Sequence, residues 1–207
     1  MDLQYSEEEV RAIVEEAHAW RTYVMAHAYT PEAIRRSVDF GVRSIEHGNL
    51  IDSATAEHVA AAGGFVVPTL VTYDALYRFG RELGFPEASL AKLGEVREAG
   101  LHSLEILQAA GVKIGFGTDL LGAMHRHQGH EFTIRAEVMA PFDVIRSATT
   151  VNAELLNRSR AIGVVAPGAR ADLIAVDGDP LADLSLLDGQ GEHIAMIMKD
   201  GAFYKRR

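Results

Sequence analysis

The sequence contains no cysteine, which excludes disulfides, thiolate metal sites and a cysteine nucleophile. It has no apolar run approaching the roughly 18–20 residues that a helix needs to cross a bilayer, so no membrane partner is expected. Basic charge is scarce: 20 Lys and Arg stand against 29 Asp and Glu, and no basic stripe occurs before Lys205-Arg206-Arg207. Nucleic acid therefore has no electrostatic footprint on the chain. The opening residues, Met1-Asp2-Leu3-Gln4-Tyr5-Ser6-Glu7-Glu8-Glu9, do not form a secretory leader. The expectation is a cytoplasmic protein, with a leader encoded further upstream left open. Neither an internal repeat beyond the βα unit nor a low-complexity tract is visible. What is present is ordinary globular composition, 48% hydrophobic and 24% charged over 207 residues, long enough for one well-buried domain.

Ser6-Glu7-Glu8-Glu9 has the spacing of a capping box, and Val10, Ile13, Val14 and Ala17 follow at helical intervals to about Trp20. Thr22–Ala26 reads as a short strand ending on His27. Thr30-Pro31 starts a second helix, which stops before Gly41. Val42–Glu46 is strand-like and ends on His47. A helix from Asp52-Ser53 runs to Gly63-Gly64, then Phe65–Thr69 reads as a strand. Glu87–Ala110 is helical, and Val112–Gly117 is a fourth strand ending on Thr118-Asp119. This alternation predicts an α/β fold with parallel strands joined by right-handed crossovers. An open doubly wound sheet and a closed barrel both satisfy it. His27, His47, Asp119, Thr69 and nearby Tyr73 all fall just past strand C-termini, which favours a (β/α)8 barrel. Glu131–Met139 and Phe142–Leu156 read as helices around Pro141. Ala171–Val176, Ile194–Met198 and Ala202–Tyr204 read as short strands of a small β appendage.

Two imidazoles and a carboxylate at strand ends are donors that suit zinc, manganese or a similar divalent ion. Each also has a plainer reading: a histidine after a strand serves as a hydrogen-bonded structural residue, and Asp119 serves as a helix cap. His125-Arg126-His127-Gln128-Gly129-His130 is a histidine-rich loop that reads as a substrate-binding lid, as plain surface, or as a separate metal site. Glu46 faces the barrel interior or supports a ligand. His18, His58, His102 and His193 read as structural or exposed.

Val24-Met25-Ala26-His27-Ala28, Ser44-Ile45-Glu46-His47-Gly48, Val67-Pro68-Thr69-Leu70 and Gly115-Phe116-Gly117-Thr118-Asp119 resemble the motifs of barrel strands 5, 6, 7 and 8 of the amidohydrolase superfamily. Ala148-Thr149-Thr150, the segment Gly163-Val164-Val165-Ala166-Pro167-Gly168-Ala169-Arg170-Ala171-Asp172-Leu173, and Met198-Lys199-Asp200-Gly201 resemble its last barrel helix and the returning strands of its small β-sandwich. The resemblance covers essentially the whole chain. Thr69-Leu70-Val71-Thr72-Tyr73 and the Gln128/Glu131 neighbourhood are most similar to the Xaa-Pro dipeptidase and imidazolonepropionase-related group.

The resemblance implies the C-terminal half of a TIM-like barrel over residues 1–160 and strands of the composite β-sandwich domain over 161–207. It implies a hydrolase of amide or peptide-like C–N bonds that uses a divalent metal, zinc first, with a binuclear centre in the complete protein. His27 and His47 would ligate the second metal and Asp119 the first. Asp119 would also take the proton of the attacking water and hand it to the leaving nitrogen. Tyr73 would donate a hydrogen bond to the substrate carbonyl, or simply pack beneath a loop. His125 and Gln128 would contact a small-molecule or dipeptide substrate.

The family's His-x-His pair on its first barrel strand has no counterpart before His27, nor has its strand-4 lysine. His125-Arg126-His127 has the spacing but follows Asp119. A full barrel takes about 250 residues, so the expected partner is the N-terminal half of the barrel. Open strand edges also promote association, including into a homo-oligomer. Two other functions remain open: a non-catalytic half-barrel acting as a binding or assembly module, and a deaminase of the same fold.

Overall fold

Ser6 starts the first helix as its spacing requires. Its Oγ accepts the N–H of Glu9 at 3.2 Å, and Glu9 Oε2 accepts the N–H of Ser6 at 2.7 Å. The computed structural model describes residues 3–207. Helix α1 (Glu7–Ala19) leads to strand β1 (Met25–Ala28), helix α2 (Pro31–Asp39), strand β2 (Ser44–His47), helix α3 (Ser53–Ala61) and strand β3 (Phe65–Val67). Helices α4 (Leu70–Phe79) and α5 (Glu87–Ala109) follow, then strand β4 (Lys113–Ile114). Helices α6 (His130–Arg135), α7 (Pro141–Arg146) and α8 (Asn152–Leu155) precede the strands β5 (Leu173–Val176), β6 (Ile194–Lys199) and β7 (Ala202–Arg206).

The contacts divide the chain into two compact units. One takes in the chain up to Pro68 together with Glu95–Gly115, and the other Thr69–Gly94 with Phe116–Arg207. The first unit holds a parallel sheet in the order β1-β2-β3-β4, so the strands are laid down in sequence, each crossover returning to the next position. Thr30 caps α2 from a β backbone with Pro31 in its first turn, and Asp52 Oδ1 caps α3 by accepting the Thr55 N–H at 2.7 Å. Ile34, Ile45, Val59, Val66, Leu104 and Leu107 are buried to within 1% and form the apolar interior of this unit. Gly48 follows His47 at φ 65°, and a Cβ there would stand 3.1 Å from Val66 Cγ1. Both the left-handed backbone and the close approach call for glycine.

In the second unit Val71, Ala75 and Leu120 form a core packed by Phe79, Met124 and Ile134. Its strands form an antiparallel sheet, order β5-β6-β7, so the tail is a β appendage of the kind the turns at Asp177-Gly178 and Asp200-Gly201 require.

Two elements differ from the sequence reading. The fourth strand is shorter than Val112–Gly117, because the Phe116 backbone N–H and C=O bond the Asn152 carboxamide at 2.9 and 2.8 Å and leave the sheet. Helix α4 occupies a stretch between Thr69 and Glu87 to which the sequence reading gives no element, and it begins with the β-branched and aromatic run Leu70-Val71-Thr72-Tyr73. A smaller shift starts β1 three residues later and ends it two later, so that His27 lies within the strand.

Candidate active site

In the first unit, β1 and β2 run side by side with Ala26 opposite Ile45 and His27 opposite Glu46. Strict alternation would turn His47 to the face opposite that shared by His27 and Glu46. The backbone of His47 is left-handed, φ 79°, which breaks the alternation at the strand end. As a result His27 Nδ1 and His47 Nε2 meet at 2.6 Å, one donating and the other accepting according to tautomer. The His47 ring is buried and stacked between His27, 4.8 Å away, and Tyr29, 4.9 Å away at 14°. His27 is exposed. Glu46 accepts the Ser44 hydroxyl at 2.6 Å, two residues back on the same strand.

The pair suits a divalent cation in donor chemistry and in convergence. Two imidazoles on one tetrahedral zinc, at Zn–N of about 2.0–2.1 Å, have their nitrogens about 3.3 Å apart, so a modest opening of the 2.6 Å contact would admit the ion. No group of three or more His, Cys, Asp or Glu side chains converges on one point among the described residues. The structure thus brings together two of the three candidate ligands.

The third, Asp119, belongs to the second unit, where it is exposed at φ 48°. Its carbonyl accepts the Thr72 hydroxyl at 3.0 Å. Tyr73, the next residue, is buried in α4 rather than standing on a rim loop. The N-cap of α4, Thr69, is itself left-handed, φ 50°, and makes no side-chain cap bond. The cap arrives from elsewhere: Glu131 Oε2 on α6 accepts the Val71 N–H at 2.7 Å. A carboxylate at a helix N-terminus satisfies an orphan donor and complements the dipole. Burial pushes the Glu131 carboxyl above its ordinary range, while the Arg135 guanidinium and the Val71 and Leu70 N–H groups pull against that shift.

The histidine-rich loop is split between tasks. The His127 ring stacks on Phe79 at 5.1 Å, and His130 Nδ1 faces Asp188 Oδ2 at 3.1 Å and Thr133 Oγ1 at 2.8 Å. His125 and Gln128, the candidate substrate contacts, are exposed. Sequence reasoning missed Tyr29, Arg135 and Asn152. Tyr29 carries a legible signal, an aromatic two residues after a strand-end histidine. Arg135 carries a misleading one, because an i, i+4 Glu–Arg pair ordinarily lies on a solvated helix face.

The family model described as Amidohydrolase family matches residues 1–203. An ochratoxinase from Aspergillus niger is 28% identical over 204 residues, which is 98% of this chain and 42% of that protein. The crystal structure of an amidohydrolase superposes with a TM-score of 0.95 at 57% identity, covering 98% of this chain and 49% of that one. That of a prolidase complexed with N-methylphosphonate-L-proline gives 0.95 at 54% identity, covering 99% and 50%. The chain therefore spans about half the length of the relatives it matches.

Proposed function

The chain belongs to the amidohydrolase family, and from that premise we propose that it supplies one side of the active site of a metal-dependent hydrolase of amide or peptide-like C–N bonds. The convergence of His27 and His47 at 2.6 Å on neighbouring strand ends carries the proposal. By the family resemblance these two imidazoles would ligate the second divalent ion of a binuclear centre, zinc in the first instance, and Asp119 would ligate the first. A divalent ion held there would polarise the scissile carbonyl and acidify water near neutral pH. The chain's own residues would do the rest. Tyr29, stacked on His47, keeps that ring from swinging. An Asp119 carboxylate oxygen would accept a proton from the attacking water and return it to the leaving nitrogen. The Tyr73 hydroxyl would donate to the carbonyl oxygen as charge develops. His125 and Gln128 would line the substrate side.

The family resemblance extends the proposal to 1–160 as barrel and 161–207 as sandwich strands. The complementary barrel half would bring the remaining ligands of a binuclear centre. The prolidase neighbour supports a dipeptide substrate, Xaa-Pro first. The test joins this chain to its complementary half, strips metal with a chelator and restores it. Zinc should recover hydrolysis of Xaa-Pro dipeptides, and His27→Gln or His47→Gln should weaken zinc binding in a competition titration. Metal-independent turnover, or unaltered zinc affinity in both variants, would overturn the reading. A fully loaded protein without turnover would point to the half-barrel binding module, and attack on a ring C=N alone would point to the deaminase.

A further inference from the structure

Glu131 and Arg135 are both fully buried, with Glu131 Oε1 accepting from Arg135 Nε at 2.6 Å. Two charges taken out of water on a short helix cost more than most apolar pairs would, so what they hold together needs explaining. From Glu131 the network runs to the first turn of α4 through the Val71 N–H. From Arg135 it runs the other way: the guanidinium lies 4.7 Å over the Phe116 ring and donates to Ser147 Oγ at 3.3 Å. Phe116 also packs on Phe132 at 4.4 Å, and its backbone is clamped by Asn152. Three residues on, Asp119 returns to α4 through the Thr72 hydroxyl. The circuit is closed. Its two outer members carry Tyr73 and Asp119.

We propose that the buried Glu131–Arg135 pair is a positioning device for the reaction, locking the Tyr73 helix and the Asp119 segment into one rigid frame. The inference rests on the roles given to Tyr73 and Asp119 under Proposed function. The pair touches neither substrate nor reacting atoms; it fixes the groups that do. An apolar pair of equal volume would fill the same space but could neither cap α4 nor stack a planar cation on Phe116.

The test uses the chain joined to its complementary half, with two variants. Glu131→Leu/Arg135→Met keeps volume and removes both charges, whereas Glu131→Gln keeps an acceptor for the Val71 N–H. Hydrogen exchange should speed up in the double variant over residues 69–75 and 116–120 together, with β1 and β2 unaffected. Glu131→Gln should recover protection in the 69–75 segment. Acceleration in only one segment, or across the whole chain, overturns the proposal. In kinetics, kcat should fall about 10- to 100-fold in the double variant with KM within about twofold, the range for supports of catalytic groups. Loosened segments with unchanged kcat would overturn the positioning role. A wild-type protein without hydrolytic activity would count against the function reading instead, and exchange would still decide whether the two segments are coupled.

Discussion

His47, Thr69 and Asp119 share an unusual property: each is a non-glycine residue with a left-handed backbone, at φ 79°, 50° and 48°, and each lies at or beyond the end of a parallel strand. Such conformations cost of order 1–3 kcal/mol each and persist where the surroundings over-determine them. At His47 the consequence is visible, since the turn of the backbone brings the imidazole to His27. At Asp119 the carbonyl is tied to the Thr72 hydroxyl at 3.0 Å. Tyr73 stands beside that tie, buried but one residue away from it. Its proposed hydrogen bond to the substrate carbonyl has a definite size. Tyr73→Phe should lower kcat about 100-fold with KM little changed, as loss of one such donor does. Steady-state kinetics on the completed barrel measure it, and unchanged turnover would leave Tyr73 as a packing residue.

The helices differ in where their caps come from. Those of α1, α2 and α3 are local: Ser6, Thr30 and Asp52 each bond a backbone N–H three residues ahead. Local caps are readable from spacing, and all three starts stand where the sequence puts them. The Asp52 carboxyl is held below its ordinary value by its bonds to the Thr55 side chain and backbone, with Arg35 adding a smaller pull. A depressed folded value means that the cap stabilises above the unfolded pKa and that this contribution is lost as pH falls through the folded one. Thermal melts between pH 6 and pH 2 should therefore show a smaller acid-induced drop in Asp52→Asn, which keeps the acceptor oxygen without the charge. An identical pH profile for the variant would refute the assignment. Helix α4, by contrast, takes its cap from Glu131, 60 residues away in sequence. No local pattern announces it, and the β-branched run Val71-Thr72 points the other way.

For the whole molecule, the parallel sheet has β1 and β4 as its outer strands. Exposed edges recruit partners, and Met25, at the start of β1, is 53% exposed. Ile13 and Trp20 on and beside α1 are exposed at 47% and 77%. We propose that a complementary barrel half, or a second copy of the chain, covers this surface. The chain alone should elute as an oligomer or heterogeneous assembly in size exclusion with light scattering, and should become monodisperse when the complementary half is supplied. A monodisperse, cooperatively melting monomer would refute this. The sequence by itself determined the alternation of strands and helices apart from α4, the parallel sheet, the β tail and the positions of His27, His47 and Asp119. All of these follow from periodicity, local caps and glycine turns, which act over a few residues. Only the tertiary structure decided that His47 turns back to meet His27, that Leu70–Phe79 is a helix, and that Glu131 and Arg135 are buried. Each of those depends on groups far apart in the chain, brought together by packing, and a bond spanning 60 residues leaves no local pattern to read.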